Sequence, residues 1–181
     1  MRLRERLRDE RGFTLVELLT VLAMLVIVIA TLSSVLIEAN NADLEMTRRF
    51  GSQVNARIAL DKLRREIHCA SSVSPTGTSS SITIVLGSRC PFAGGSTVNW
   101  CTQASGGAQY ALYRRVTSTC DTNGTKLVDY LTLANVFTVT PSSSSTLAYV
   151  SVDLPIDTMQ PSGLPDYRLT DDIVLRNSTR S

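Results

Sequence analysis

Glu17 is the only charged residue between Phe13 and Ile37, a stretch otherwise made of Leu, Val, Ile, Ala, Met and a few Ser and Thr. A carboxylate in an apolar helix costs about 2.5 kcal/mol or more at the centre of a bilayer and less near its edge, so such a residue either sits at the headgroup level or meets a specific partner. The other residues with chemistry to offer are fewer. Cys69, Cys90, Cys101 and Cys120 all lie past the apolar stretch, and none has the C-x-x-C spacing of a zinc site or a redox motif. An even number of cysteines beyond a membrane anchor reads as two disulfides in an oxidising compartment, with three connectivities open. His68 is the only histidine and adjoins Cys69 on a charged segment, where it reads as a helix-surface or interface residue; neighbours in sequence have poor geometry for a catalytic pair. Asp153, Asp157, Asp166, Asp171 and Asp172 match no calcium loop, and Gly94-Gly95-Ser96-Thr97 lacks the lysine of a phosphate loop. No metal or cofactor is implied, and catalysis is not expected.

The elements that carry these residues divide the 181-residue chain sharply. Residues 18–37 alone would form about 30 Å of helix, enough to cross a bilayer core. Five arginines precede that run, at 2, 4, 6, 8 and 11, while Glu38, Asp43 and Glu45 follow it before the next cations, Arg48 and Arg49. The positive-inside rule therefore places the N-terminus in the cytoplasm and everything after Ile37 outside. The helical signal then continues, because no proline occurs before Pro75 and Gly51 is the only glycine between Phe13 and Cys69. Ala56, Leu60, Leu63, Ile67 and Ala70 recur at three- and four-residue steps among Arg57, Asp61, Lys62, Arg64, Arg65 and Glu66, an apolar stripe on a charged helix that must be buried on something.

The remainder of the chain supplies the cover. Residues 71–81 are rich in Ser and Thr with Pro75 and Gly77, a loop by composition. Short strand-like runs follow at 82–86, 98–102, 110–116, 136–140, 147–154 and 167–175, separated by turn chemistry at Gly94-Gly95, Gly106-Gly107, Asn123-Gly124 and 141–145. Short strands in succession without helical periods predict an antiparallel sheet, so the fold class is α+β: a long N-terminal helix packed on a small antiparallel sheet. Formal net charge is +2, and without the first twelve residues 13 basic and 13 acidic residues remain. So balanced a chain argues against a large nucleic-acid footprint. A cleaved secretory signal ending near Ala30 is disfavoured, since Glu17 would fall in its apolar region and the apolar run continues through Ile37.

Gly12-Phe13-Thr14-Leu15-Val16-Glu17-Leu18-Leu19, with arginines before it and an apolar run after it, resembles the type III signal sequence of type IV pilins and type II secretion pseudopilins. The resemblance implies that a prepilin peptidase cuts between Gly12 and Phe13 and methylates the new Phe13 amine. It implies that Glu17 pairs with the N-terminal amine of a neighbouring subunit and sets register in a filament. The segment 56–70, together with Leu112-Tyr113-Arg114-Arg115 and Ile173-Val174-Leu175-Arg176-Asn177, is similar to pseudopilin J and the W-type minor pilins. Many major pilins carry a proline where Ser33 and Ser34 stand here, a departure compatible with a straighter helix or a place at the filament tip.

On that reading residues 1–12 are a removed leader, 13–37 the transmembrane half of the helix, 38–72 its amphipathic half, and 73–181 an extracytoplasmic β-rich head. The expected role is a minor structural subunit that primes or caps a pilus or pseudopilus, anchored in the cytoplasmic (inner) membrane and then placed in a cell-surface or periplasmic filament. Its expected partners are the prepilin peptidase, other pilin subunits, the membrane assembly platform and, before assembly, the lipid bilayer. The alternative is a receptor or adhesin whose head binds DNA, a surface or a secreted substrate. A basic patch around Arg114 and Arg115, with Trp100, Tyr110 and Tyr113, would favour it.

Overall fold

A computed structural model describes residues 14–87, 90, 97–117, 119–159 and 167–177. Two compact units divide the chain, Met1–Glu45 and Met46–Ser181, and helix α1 (Leu15–Cys69) begins in the first and ends in the second.

In the first unit α1 is long and apolar enough to cross a membrane, and none of its most apolar stretch is buried. The large apolar side chains from Leu15 to Ile37 are each between 49% and 78% exposed. At about 1.5–3 kcal/mol per buried large side chain, leaving them all in water would forfeit on the order of tens of kcal/mol. The polar residues of this stretch are satisfied locally: the hydroxyls of Thr20, Thr31, Ser33 and Ser34 donate to the carbonyls of Glu17, Val28, Ile29 and Thr31 at 2.8–2.9 Å. Such back-bonding lets hydroxyls sit in hydrocarbon without orphaned donors. The helix runs without a break through Ser33 and Ser34.

The second unit holds the rest of α1 and, among the described residues, nine strands: β1 (Ala70–Ser74), β2 (Gly77–Ser79), β3 (Ser81–Leu86), β4 (Thr97–Gly106), β5 (Gln109–Arg115), β6 (Thr125–Leu131), β7 (Phe137–Thr140), β8 (Tyr149–Ile156) and β9 (Tyr167–Val174). Every pairing is antiparallel, in the order β1-β3-β4-β5-β6-β8-β7-β2, with β9 on β8. The β4–β5 hairpin turns at Gly106 and Gly107, whose φ values of 114° and 61° lie where side chains are strained. β6 and β8 share a single registered pair, Leu131 with Ile156, so the sheet is thinnest there.

The six expected strands are present with shifted ends, and three others were not anticipated. The stretch 71–81 holds β1 and β2, because edge strands with exposed side chains need backbone partners and not apolar residues: β1 reads only as exposed serines around Val73, yet it pairs with β3. β6 alternates poorly in sequence and is interrupted by bulges against β5.

Ala56, Leu60, Leu63, Ile67 and Ala70, the stripe predicted from spacing, are all buried and join one core with Ile82, Ile84, Trp100, Leu112, Phe137, Leu154 and Ile156. Of the three possible connectivities the structure has Cys69–Cys90 and Cys101–Cys120, with Cα atoms 5.7 and 5.9 Å apart. The first ties the end of α1 to the segment after β3, and the second ties β4 to the β5–β6 connection. Their sequence separations of 21 and 19 residues predict about 3 kcal/mol of stabilisation each from the constrained unfolded chain. Non-reducing peptide mapping of the full chain in detergent is expected to find those two links. Replacing Cys101 and Cys120 together by Ser should lower the urea midpoint of the head's unfolding transition; an unchanged midpoint, or a Cys90–Cys101 link, would contradict the arrangement.

Candidate functional site

Gly12 and Phe13 lie outside the described residues, and Thr14 is the first described residue of the signal segment. The Thr14 hydroxyl accepts from the Glu17 backbone N–H at 3.3 Å, and the Thr14 carbonyl accepts from Leu18 N–H at 3.1 Å, which makes Thr14 the N-cap of α1. Thr14 and Glu17 thus occupy the cap and third positions of a Thr-x-x-Glu capping pattern. The spacing is legible in the sequence, where Glu17 reads only as a headgroup-level or assembly residue. Its carboxylate sits in the first turn, where the helix dipole favours an anion, and this offsets part of the cost of a charge at the head of an apolar helix. No side-chain bond to that carboxylate is formed by any described residue, and the position is exposed.

The second arrangement of charge lies in the head. Glu66, expected on the charged face of the helix, is instead 1% exposed. The helical spacing hid this, because Glu66 follows Leu63 by three and precedes Ile67 by one, at the margin of the buried stripe. Its Oε2 accepts from Trp100 Nε1 at 2.7 Å, and its Oε1 accepts from Arg114 Nε at 2.7 Å, with an Arg114 terminal nitrogen 2.6 Å away. Trp100 is fully buried, and the Arg114 side chain is 11% exposed. A buried carboxylate is tolerable only with such complete partnering. The Asn123-Gly124 turn supports it: a side chain at Gly124 would meet the Arg114 carbonyl at 2.8 Å, so glycine lets the β5–β6 connection close over the strand that carries Arg114.

Beside this ion pair is a cavity of about 340 Å³ lined by Ile58, Lys62, Arg65, Glu66 and Arg114. Desolvation pushes the Lys62 ammonium below its ordinary pKa, and Arg114 adds to the effect while Glu66 opposes it. A second, more polar groove of about 310 Å³ runs between Thr47–Asn55 of α1 and Lys126–Tyr130 of β6. Burial pushes the Asp129 carboxyl up there, but hydrogen bonds from Lys126, the Tyr130 N–H and Ser105 outweigh it and leave Asp129 below its usual range.

The other candidates are absorbed by structure. The His68 ring Nδ1 lies 2.9 Å from the Val174 carbonyl, so that nitrogen carries a proton and ties α1 to β9. Cys69 is in a disulfide and offers no thiol. Arg64 pairs with Asp171 of β9 at 2.8 Å, Arg168 with Asp153 at 2.6 Å, and Ser151 bonds Asp172. Asp157 is buried and accepts from the Met159 N–H at 2.8 Å, while Asp166 and Gly94-Gly95 lie outside the described residues. No group of acids, histidines or cysteines among the described residues is arranged to hold a metal. Trp100 is core, and Tyr110 packs against the core. Arg114 and Arg115 form no free basic patch, since the first faces Glu66 and the second pairs with Asp121.

Removing one partner of a buried pair leaves the other uncompensated. Glu66→Leu or Arg114→Met alone should each destabilise the head by about 3 kcal/mol or more, whereas the double substitution should recover a substantial part of that loss. Urea unfolding followed by Trp100 fluorescence reads this coupling, and additive losses would contradict it.

Residues 7–33 match the family model described as the prokaryotic N-terminal methylation motif. No curated protein and no solved structure matches the chain. The matched residues cover the Gly12-Phe13 junction, the capped start of α1 with Glu17, and the first part of its wholly exposed apolar stretch. The chain therefore carries the prepilin signal of the type IV pilins and pseudopilins, on a helix that fits a membrane anchor and a pilin-like α+β fold.

Proposed function

We propose that this chain is a minor pilin or pseudopilin, a structural subunit that primes or caps a type IV pilus or a type II secretion pseudopilus. The observation that carries the reading is the coincidence of the methylation motif with a helix whose apolar half is covered by none of the described residues. Such a helix needs lipid first and other helices later, which is what a subunit stored in a membrane and moved into a filament requires. The precursor inserts with its arginines in the cytoplasm and its head outside. Prepilin peptidase cuts between Gly12 and Phe13, and the Phe13 amine is methylated.

Glu17 then acts in assembly. Its exposed carboxylate, held near the head of α1, pairs with the amine of an adjacent subunit as the helices leave the bilayer and come together. A cation–carboxylate pair in that apolar setting fixes axial register, because every other register leaves a charge without a partner. The chemistry asked of the head is recognition and shape, not catalysis.

Glu17→Ala and Glu17→Gln variants, expressed in the native host, are expected to be cut at Phe13 like the parent but to be recovered from sheared filaments at a small fraction of its level. Glu17→Asp should be intermediate. Equal recovery of all four proteins, measured by quantitative immunoblot of filament and membrane fractions, would remove Glu17 from assembly.

A further inference from the structure

The filament reading makes no use of the groove of about 310 Å³ between α1 and β6. Gly51 lines it, and a side chain built on Gly51 would meet nothing within 4 Å. Glycine inside a helix forgoes stability relative to alanine, and no neighbour demands it here, so what it preserves is the open space. Ser52 also borders the groove and is 7% exposed. Unlike Ser33 and Ser34, whose hydroxyls turn back to carbonyls, Ser52 forms no side-chain hydrogen bond with a described residue, and its oxygen is not sealed from solvent. Buried polar groups are ordinarily paired, so this hydroxyl calls for a partner entering from the groove.

Across from α1 stands Tyr130, the one non-glycine residue with positive φ (62°) among the described residues. Such backbone persists only where the surroundings hold it, and it gathers at ligand sites. Here the Tyr130 N–H donates to Asp129 Oδ1 at 3.0 Å, and the Tyr130 carbonyl accepts from the Asp157 N–H at 2.9 Å.

The lining selects the chemistry of the ligand. The hydroxyls of Thr47 and Ser52 and the amide of Asn55 each donate and accept, and Asp129 Oδ2, which accepts from Lys126 at 2.6 Å, has capacity for a further bond. Their complement is a row of hydroxyls, which donate and accept in turn. Lys126 is matched by Asp129, whereas the exposed Arg48 forms no ion pair with a described residue. One unmatched guanidinium suits a single carboxylate and not a run of phosphates. The volume stands at the small end of ligand pockets, with room for about one or two sugar rings.

We infer that the groove binds an acidic sugar, with Arg48 holding its carboxylate and Ser52, Asn55 and Asp129 bonding its ring hydroxyls. Saccharide recognition is a function separate from assembly, and it does not depend on the filament reading.

The test uses the full chain in lauryldimethylamine oxide, a detergent without a sugar headgroup. Methyl β-glucuronide, methyl β-glucoside and acetate are titrated, and affinities are read by saturation-transfer NMR. The glucuronide should bind roughly tenfold or more tighter than either the glucoside or acetate, because a charge-assisted bond is added to the hydroxyl contacts. Arg48→Gln should erase that advantage and leave the glucoside affinity unchanged. Ser52→Ala should weaken both sugars by about threefold to tenfold. Gly51→Leu should block both sugars while its urea midpoint falls no lower than the parent's, since the new side chain enters empty space. If that variant does unfold more easily, Arg48→Gln, a change at an exposed side chain, decides alone. Failure of the parent to bind, acetate binding as tightly as the glucuronide, equal affinity for the two sugars, or binding retained by a folded Gly51→Leu head would each overturn the inference.

Discussion

A long apolar half-helix that no described residue covers is the constraint from which the rest follows. The large apolar side chains from Leu15 to Ile37 remain about half exposed or more, and no described residue of the first unit covers them. The sequence answers this in two ways: hydroxyls are turned back onto the helix, and the single charge stands in the first turn beside the Thr14 cap. Such a segment is at home in lipid or among other helices, and stable in water in neither half of its life.

The head solves a different problem with different means. Its portion of α1 buries only a narrow stripe, so the helix is held to the sheet by polar links as well as by the core. Glu66 reaches Trp100 of β4 and Arg114 of β5, Arg64 reaches Asp171 of β9, and His68 meets the Val174 carbonyl. Two disulfides fasten the connections that follow β3 and β5. The interior ion pair contributes less to net stability than to uniqueness, because a mispositioned helix would leave Glu66 buried without partners. That argues for a helix fixed on its sheet.

How much of this the sequence shows depends on whether the signal is local. The apolar run, the buried stripe from Ala56 to Ala70 and the strands with alternating apolar residues are patterns in adjacent positions, and the structure has them. β1 and β2 were hidden because edge strands are made by backbone pairing, which leaves no mark on side-chain type. Glu66 was placed among solvated charges because its partners, Trp100 and Arg114, are 34 and 48 positions away. The disulfide connectivity was undecidable for the same reason. Whether Arg114 and Arg115 make a basic patch depends on what the fold sets beside them, and their charges are met by Glu66 and Asp121.

The signal segment is the reverse case, legible in sequence and matched over residues 7–33, with its first residues outside the described structure. The most direct test of the account is therefore the intact mass and N-terminal residue of the protein taken from its native membrane. A chain that begins at N-methylated Phe13 is the predicted result. A chain that begins at Met1, or near Thr31 after an ordinary signal cut, would contradict the account and leave an anchored or secreted β-rich domain in place of a filament subunit.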